Sequence, residues 1–396
     1  MNKNGIYLAT GRIFSSIGDS IYSLTIVWYI YHLTHNTIYT GIAFLLMYTA
    51  QALHFLFGPI IKRLHKKNLL VYTQLLQFVL MCIIPIAIIL KFESLFLILG
   101  VIFLVSILEN IEGTTEMSIV PSLIGKQYVA KYNAMINSAQ QVVNVMMTCT
   151  FSLIIVYVSV ENIYLFNAFT FLLAFILFMK LNYDHSLQVI NEEPAGYLIG
   201  LREGFRYFKT SVFIWITLPL ALVNGVLSGV NAIIPKYAEE LCNPNSYGWL
   251  IFSISCGLLI GSIVSQYFAK CKLGKLVSIA SFVIFCLLSL AYFVNHIVIS
   301  IIILGLSLIP LGVINMMLLT FTQTNADEKY LSRVMSISES LLFVMMPFGA
   351  ILGGVAAQLW HASIVIIVAA FTFLCISLLF MLKRRLNDLP PIVKKE

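Results

Sequence analysis

The chain has 396 residues, of which 60% are apolar and only 10% charged, with a mean hydropathy of +0.94. A soluble globular domain carries about a quarter of its residues as charges, so that class is excluded. The net charge of +7 comes from 24 Lys and Arg against 17 Asp and Glu. It reads as membrane topology rather than nucleic-acid binding, because the basic residues are confined to particular loops.

Apolar runs fall at 6–30, 38–61, 69–90, 95–118, 136–158, 162–181, 211–233, 247–269, 276–294, 297–321, 334–357 and 362–382. Each is long enough to cross about 30 Å of hydrocarbon as a helix. The period-two alternation of a membrane barrel is missing. The pattern predicts an all-α membrane protein of twelve transmembrane helices in two six-helix halves. The first run has full spanning length and no small-residue cleavage site, so it reads as a first helix rather than a removed signal.

Taken in order, the spans carry an unusual set of polar residues. Span 1 holds Arg12 and Asp19, seven apart and on one helix face. The loop after span 2 is basic, with Lys62, Arg63, Lys66 and Lys67. Span 4 holds Glu109, Glu112 and Glu116, whose spacings of three and four again select one face. A carboxylate near the bilayer centre costs about 2.5–3.5 kcal/mol on insertion scales, and such residues mark pathways for ions or substrates. Span 5 offers Asn137, Gln141, Asn144 and Thr148 on one face.

The longest polar segment, 182–209, divides the chain into an N-terminal six-helix bundle at 1–181 and a C-terminal bundle with its tail at 210–396. Its piece Leu201–Lys209 is amphipathic and is expected to lie along the membrane surface. Span 7 carries Asn224, Ser228 and Asn231, span 10 carries Asn315 and Gln323, and span 11 carries Glu339. Gly257-x3-Gly261 and Gly349-x3-Gly353 are close-packing motifs.

Of the 24 Lys and Arg residues, 21 lie at the N-terminus, in the even-numbered loops or in the C-terminal tail. By the positive-inside rule both termini are cytoplasmic and the protein is a multi-pass protein of the cell membrane, with acidic lipid headgroups as neighbours. The seven cysteines are scattered, with no Cys-x-x-Cys and no disulfide framework. No phosphate-binding Gly-x4-Gly-Lys-Ser/Thr loop is present, so ATP is not hydrolysed by this chain. His32 and His35 have no carboxylate nearby to complete a ligand set. The expectation is no metal site, no cofactor and no enzymatic activity.

The chain resembles the major facilitator superfamily over nearly its whole length. Twelve spans, a central loop and basic loops after spans 2 and 8 carry the likeness. Within it, Ser16-Ile-Gly18-Asp19 resembles the Ser-x-x-Gly-Asp turn of the exporter group that holds macrolide efflux pumps and the enterobactin exporter. Val120-Pro121-Ser-Leu with Tyr132-Asn133-Ala134, and Tyr330-Leu-Ser-Arg333-Val334-Met-Ser336 with Met346-Pro347-Phe-Gly349-Ala-Ile-Leu-Gly353, are similar to its helix 4–5 junction and eleventh helix. Two departures stand out. Lys62 occupies the place where the superfamily's loop after helix 2 carries Asp, and span 5 lacks the Gly-Pro element of many drug–proton antiporters.

The resemblance implies a secondary transporter working by alternating access, with its site near the midplane between the halves and with helices 1 and 4 as neighbours. An Arg12–Glu112 contact is then feasible. Arg12 has two readings: an ion pair that locks helix 1 to helix 4, or a partner for a substrate carboxylate. In either, four acids face one base, so some carboxylates must take a proton, a cation or water. The expected substrate- and proton-binding residues are Arg12, Asp19, Glu109, Glu112, Glu116, Asn224, Asn231, Asn315 and Glu339. The expected activity is proton-coupled export, by a monomer, of a small zwitterion such as a staphylopine-type metallophore. The alternative is macrolide or multidrug efflux.

Overall fold

The computed structural model describes residues 3–52, 64–92, 94–125, 128–183, 205–241, 246–294, 296–326 and 331–391. Lys62 and Arg63, most of the central linker, Cys242, Tyr330 and the end of the tail lie outside the described residues. The described elements are all helical. Eleven stretches among them are long and apolar enough to cross a membrane, and the predicted span at 38–61 is described only to Ala52. The all-α membrane architecture stands.

The chain forms two compact units, residues 1–34 with 46–192 and residues 35–45 with 193–396. The first unit contains α1 (Lys3–Thr34), the later part of α2 (Thr37–Ala52), α3 (Lys66–Ile89), α4 (Leu95–Ile124), α5 (Val129–Tyr157) and α6 (Val160–Met179). Here α1 packs on α4, α5 and α6, and α3 packs on α4 and α6. Leu8, Leu70, Ile119, Tyr132, Ile136 and Phe178 form part of one buried cluster that ties five of these helices together. Gly18 sits so close to α6 that a Cβ there would lie 2.6 Å from Thr170 Oγ1. Glycine at this point lets α1 approach and carries Asp19 inward beside it. Helix α4 runs six residues beyond the predicted end at 118, straight through Pro121.

The second unit contains α7 (Phe213–Glu240), α8 (Tyr247–Val264), α9 (Leu273–Phe293), α10 (Ile297–Asn325), α11 (Leu331–Val344), α12 (Met346–Leu359), α13 (Ala362–Leu382) and the short α14 (Arg384–Asn387). The eleventh span, expected as one helix, is two: α11 ends at Val344 and α12 restarts with Pro347 in its first turn. Proline has no N–H and its ring collides with the carbonyl four residues back, but it suits a helix start. Glycines of the two close-packing motifs meet partners. Gly353 lies against Gly229 of α7, where an added Cβ would come within 2.5 Å of the Gly229 Cα, and Gly257 and Gly261 lie against the backbone of α10. At the far end of α7, both carboxylate oxygens of Glu240 accept from the Ala362 N–H at 3.0 Å and cap α13. Residues 35–45 pack in this unit through Thr37, whose hydroxyl donates to Gly354 O (2.7 Å), and Thr40, which donates to Ala232 O (2.8 Å).

Candidate functional site

The first unit buries a charged cluster built from four helices. Arg12, Ser15, Ser16 and Asp19 follow one another at helical spacing along one face of α1, opposite the glutamates of α4. Arg12 reaches two of those glutamates at once: its Nη1 lies 3.1 Å from Glu112 Oε1 and its Nε 3.1 Å from Glu116 Oε2. Asp19 Oδ2 is further away, 4.0 Å from Nη1.

Each paired glutamate has its second oxygen engaged. Ser15 Oγ donates to Glu112 Oε2 at 3.0 Å and Gln74 Nε2, from α3, donates to the same oxygen at 2.6 Å. Tyr132 of α5 donates to Glu116 Oε1 at 2.9 Å. Gln140, also from α5, completes the shell: with its amide oxygen turned inward it accepts from Arg12 Nε and Nη2 at 3.1 and 3.2 Å and from Ser16 Oγ at 3.1 Å. Glu112 and Gln74 are completely shut from solvent.

The two remaining acids are treated differently. Asp19 keeps Oδ1 buried without a hydrogen-bond partner, and Glu109 makes no ion pair or hydrogen bond among the described residues. The cluster thus separates into a clamp (Arg12, Glu112, Glu116) and two acids, Asp19 and Glu109, that the clamp does not satisfy.

Sequence reasoning reached the four acids and the arginine but missed Gln74, Gln77, Ser15, Tyr132 and Gln140. Gln74 and Gln77 had a readable signal, two amides three apart inside an otherwise apolar span. On span 5, Gln141, Asn144 and Thr148 of the expected stripe do not meet the cluster, and the side chain of Asn137 lies outside what the structure describes. Gln141 and Asn144 are exposed, Thr148 bonds back to Val145 O of its own helix (2.9 Å), and Gln140, one residue away, makes the contact.

In the second unit, Asn224, Ser228, Asn231 and Asn315 line a cavity of about 200 Å³ whose other walls are almost all aliphatic. Ser228 is spent on structure, donating to Gly225 O at 2.7 Å and to Met346 O at 2.6 Å, a carbonyl at the break before α12. The three asparagines make no hydrogen bonds among the described residues, so their amides are available to a ligand. Glu339 lies exposed on α11 and does not line this cavity. Among the described residues no group of three or more His, Cys, Asp and Glu is arranged to hold a metal ion.

A bundle of apolar spans that keeps ionisable side chains buried within it is the build of a membrane transporter. The chain belongs to the Major Facilitator Superfamily, whose family profile matches residues 8–338. It is a multi-pass membrane transporter and not an enzyme. It is similar to an uncharacterised MFS-type transporter, YvqJ, of Bacillus subtilis (strain 168), with 21% identity over 384 residues that cover 92% of this chain and 89% of the relative. Among solved structures, a bacterial homologue of the iron transporter ferroportin in an inward-facing state superposes with a TM-score of 0.75 at 13% identity, covering 96% of this chain and 98% of the other. The nucleoside transporter NupG gives 0.71 at 14% identity, with 96% and 98% covered. Likeness at this level of identity shows the fold.

Proposed function

We propose that this transporter is a proton-coupled exporter of the cell membrane, with both termini cytoplasmic, that works as a monomer by alternating access and moves a small molecule carrying amines. The observation that carries the reading is the charge imbalance of the buried cluster. One guanidinium, already held by Glu112 and Glu116 at 3.1 Å each, faces four carboxylates. Fully ionised, the cluster holds three negative charges in excess, which a membrane interior does not tolerate without compensation. Asp19 and Glu109 are the acids left over. In this account they hold protons when the site is empty and give them up to a cationic cargo, which couples cargo movement outward to proton movement inward. Within the second unit, the amides of Asn224, Asn231 and Asn315, which make no hydrogen bonds among the described residues, are further substrate-binding groups in this reading.

The first reading of the cargo is a small zwitterion with several amines, of the opine-type metallophore class, loaded metal-free. Its amines pair with Asp19 and Glu109. A second reading, macrolide or multidrug efflux, is favoured by one observation: apart from Asn224, Ser228, Asn231 and Asn315, the cavity of the second unit is walled by aliphatic side chains and Met346. That suits an apolar molecule with a single positive charge.

Deleting the gene separates the two. Metallophore export predicts intracellular build-up of the free metallophore, poor growth under metal limitation and little change in macrolide susceptibility. Intact metallophore secretion with a several-fold loss of macrolide resistance would replace the first reading by the second.

A further inference from the structure

The described end of the chain folds back onto the second unit and brings its charges with it. Helix α13 stops at Leu382, and Lys383, Arg384 and Arg385 follow at once. Beyond them Leu386 and Leu389 are buried, and Gly274 of α9 has the Leu386 and Asn387 carbonyls where a side chain would stand. On the other flank, Lys383 Nζ lies 4.1 Å from the centroid of the Trp215 ring, a cation–π distance. Arg385 Nη2 reaches Thr210 O at 3.5 Å. The tail is thus seated between the start of α9 and residues 205–215, which lead into α7.

Seating the tail collects like charges. Residues 205–210 are helical and present Arg206 and Lys209, the start of α9 presents Lys272 and Lys275, and the tail adds three more cations. All seven are exposed. The described residues of these three segments hold one acid, Asp388, which pairs with Arg384 at 3.4 Å. Like charges within about 10 Å still repel at 0.1 M salt. Burial of Leu386 and Leu389 therefore draws the tail into a place that its own cations oppose. A counter-charge from outside the chain would offset that repulsion.

The neighbouring side chains identify its source. Met381 and Leu382, at the end of α13, are exposed and apolar, and Phe205 and Trp215 are exposed aromatics. Aromatic residues of this kind sit at the level of the lipid headgroups, so hydrocarbon gives way to headgroups where Leu382 gives way to Lys383. A soluble anion gains nothing from these apolar neighbours, whereas a phospholipid meets both. Clusters of Lys and Arg just outside a span attract acidic headgroups, and their long stems cover apolar surface while the charges reach outward. We propose that Lys209, Lys383 and Arg385 form a binding surface for the phosphate headgroups of anionic membrane lipids, and that the bound lipid keeps the tail seated. Arg206, Lys272, Lys275 and Arg384 add to the attraction. The inference needs neither the cargo nor proton coupling, so the two stand or fall separately.

Hydrogen exchange of the full-length protein in lipid nanodiscs tests the surface. The four amides of Leu386, Asn387, Asp388 and Leu389 donate within the seated tail and report its docking. The Cys271 amide, which donates to Phe268 O at the end of the second unit where α9 begins, serves as the reference and cancels any change in local pH near a charged surface. Relative to Cys271, the tail amides should exchange roughly tenfold more slowly in phosphatidylcholine mixed with phosphatidylglycerol than in phosphatidylcholine alone. High salt should shrink the difference, and Lys209→Gln with Arg385→Gln should remove it. Equal exchange of the unmutated protein in the two lipids would overturn the proposal. The same slowing by free inorganic phosphate added to phosphatidylcholine nanodiscs would replace the lipid by a soluble anion. An undiminished lipid effect in the double variant would overturn the assignment to these residues.

Discussion

Arg12 Nη1 meets Glu112 Oε1 at 3.1 Å, and Glu112 is completely closed to solvent. With Glu116 on the other side of the same guanidinium, the contact fastens α1 to α4 through a charge that neither helix could bury alone. Breaking one side of a buried pair costs about 3–5 kcal/mol, because the partner charge is left uncompensated. Arg12→Gln is therefore expected to lower the melting temperature of the detergent-purified protein strongly. Adding Glu112→Gln should recover part of that loss. Strictly additive effects in this double-mutant cycle would show that the pair is not coupled.

Glycine packing in the second unit gives a sharper structural contrast. Gly353 has the Gly229 backbone where a side chain would go, whereas Gly113 of α4 has no atom within 4 Å of an added Cβ. Gly353→Val should abolish a monodisperse peak in size-exclusion chromatography of the solubilised protein. Gly113→Ala should leave it unchanged. Equal tolerance of both substitutions would contradict the close approach of α7 and α12.

At the α7–α13 junction, Glu240 caps the start of α13 with both oxygens. Loss of a cap costs about 0.5–2 kcal/mol, so Glu240→Ala should reduce thermal stability by that order. Glu240→Gln, which keeps an acceptor oxygen, should recover most of it.

Legibility in the sequence differed between fold and site for physical reasons. Hydropathy is a property of each segment alone, so the spans could be read directly, and the break at Met345 was the main departure. Pro347 was visible, but whether a helix kinks or restarts at proline depends on the neighbours that satisfy the freed carbonyls. Here Ser228, on a helix more than a hundred residues earlier, donates to Met346 O beside the break. In the cluster, the acids and Arg12 stood out because each is costly in an apolar run. Their partners did not, since Tyr132, Gln140 and Gln74 are ordinary residues that matter only through the helix they face. The unequal fates of the acids followed from the same facing pattern: Glu112 and Glu116 point at Arg12, and Glu109 does not pair with it.

The amides of the second unit carry a prediction of a different kind. Asn224, Asn231 and Asn315 make no hydrogen bonds among the described residues and line one cavity, so replacing them should alter cargo handling without unfolding the protein. Asn231→Ala is expected to leave the melting temperature within about 1 °C, since surface-like substitutions without lost partners fall within about 0.5 kcal/mol. Cellular export should drop several-fold in the same variant. A large fall in stability with normal export would assign Asn231 to packing instead.

Proton release on cargo binding tests the central claim most directly. Purified protein in weakly buffered detergent solution is mixed with a metal-free opine-type metallophore, or in parallel with a macrolide, and the pH change is recorded. The account predicts that binding of one of them releases protons from the unmutated protein, and that Asp19→Asn with Glu109→Gln suppresses the release while the variant remains folded. Release of undiminished size from the double variant, or cargo binding by the unmutated protein with no proton released, would contradict it.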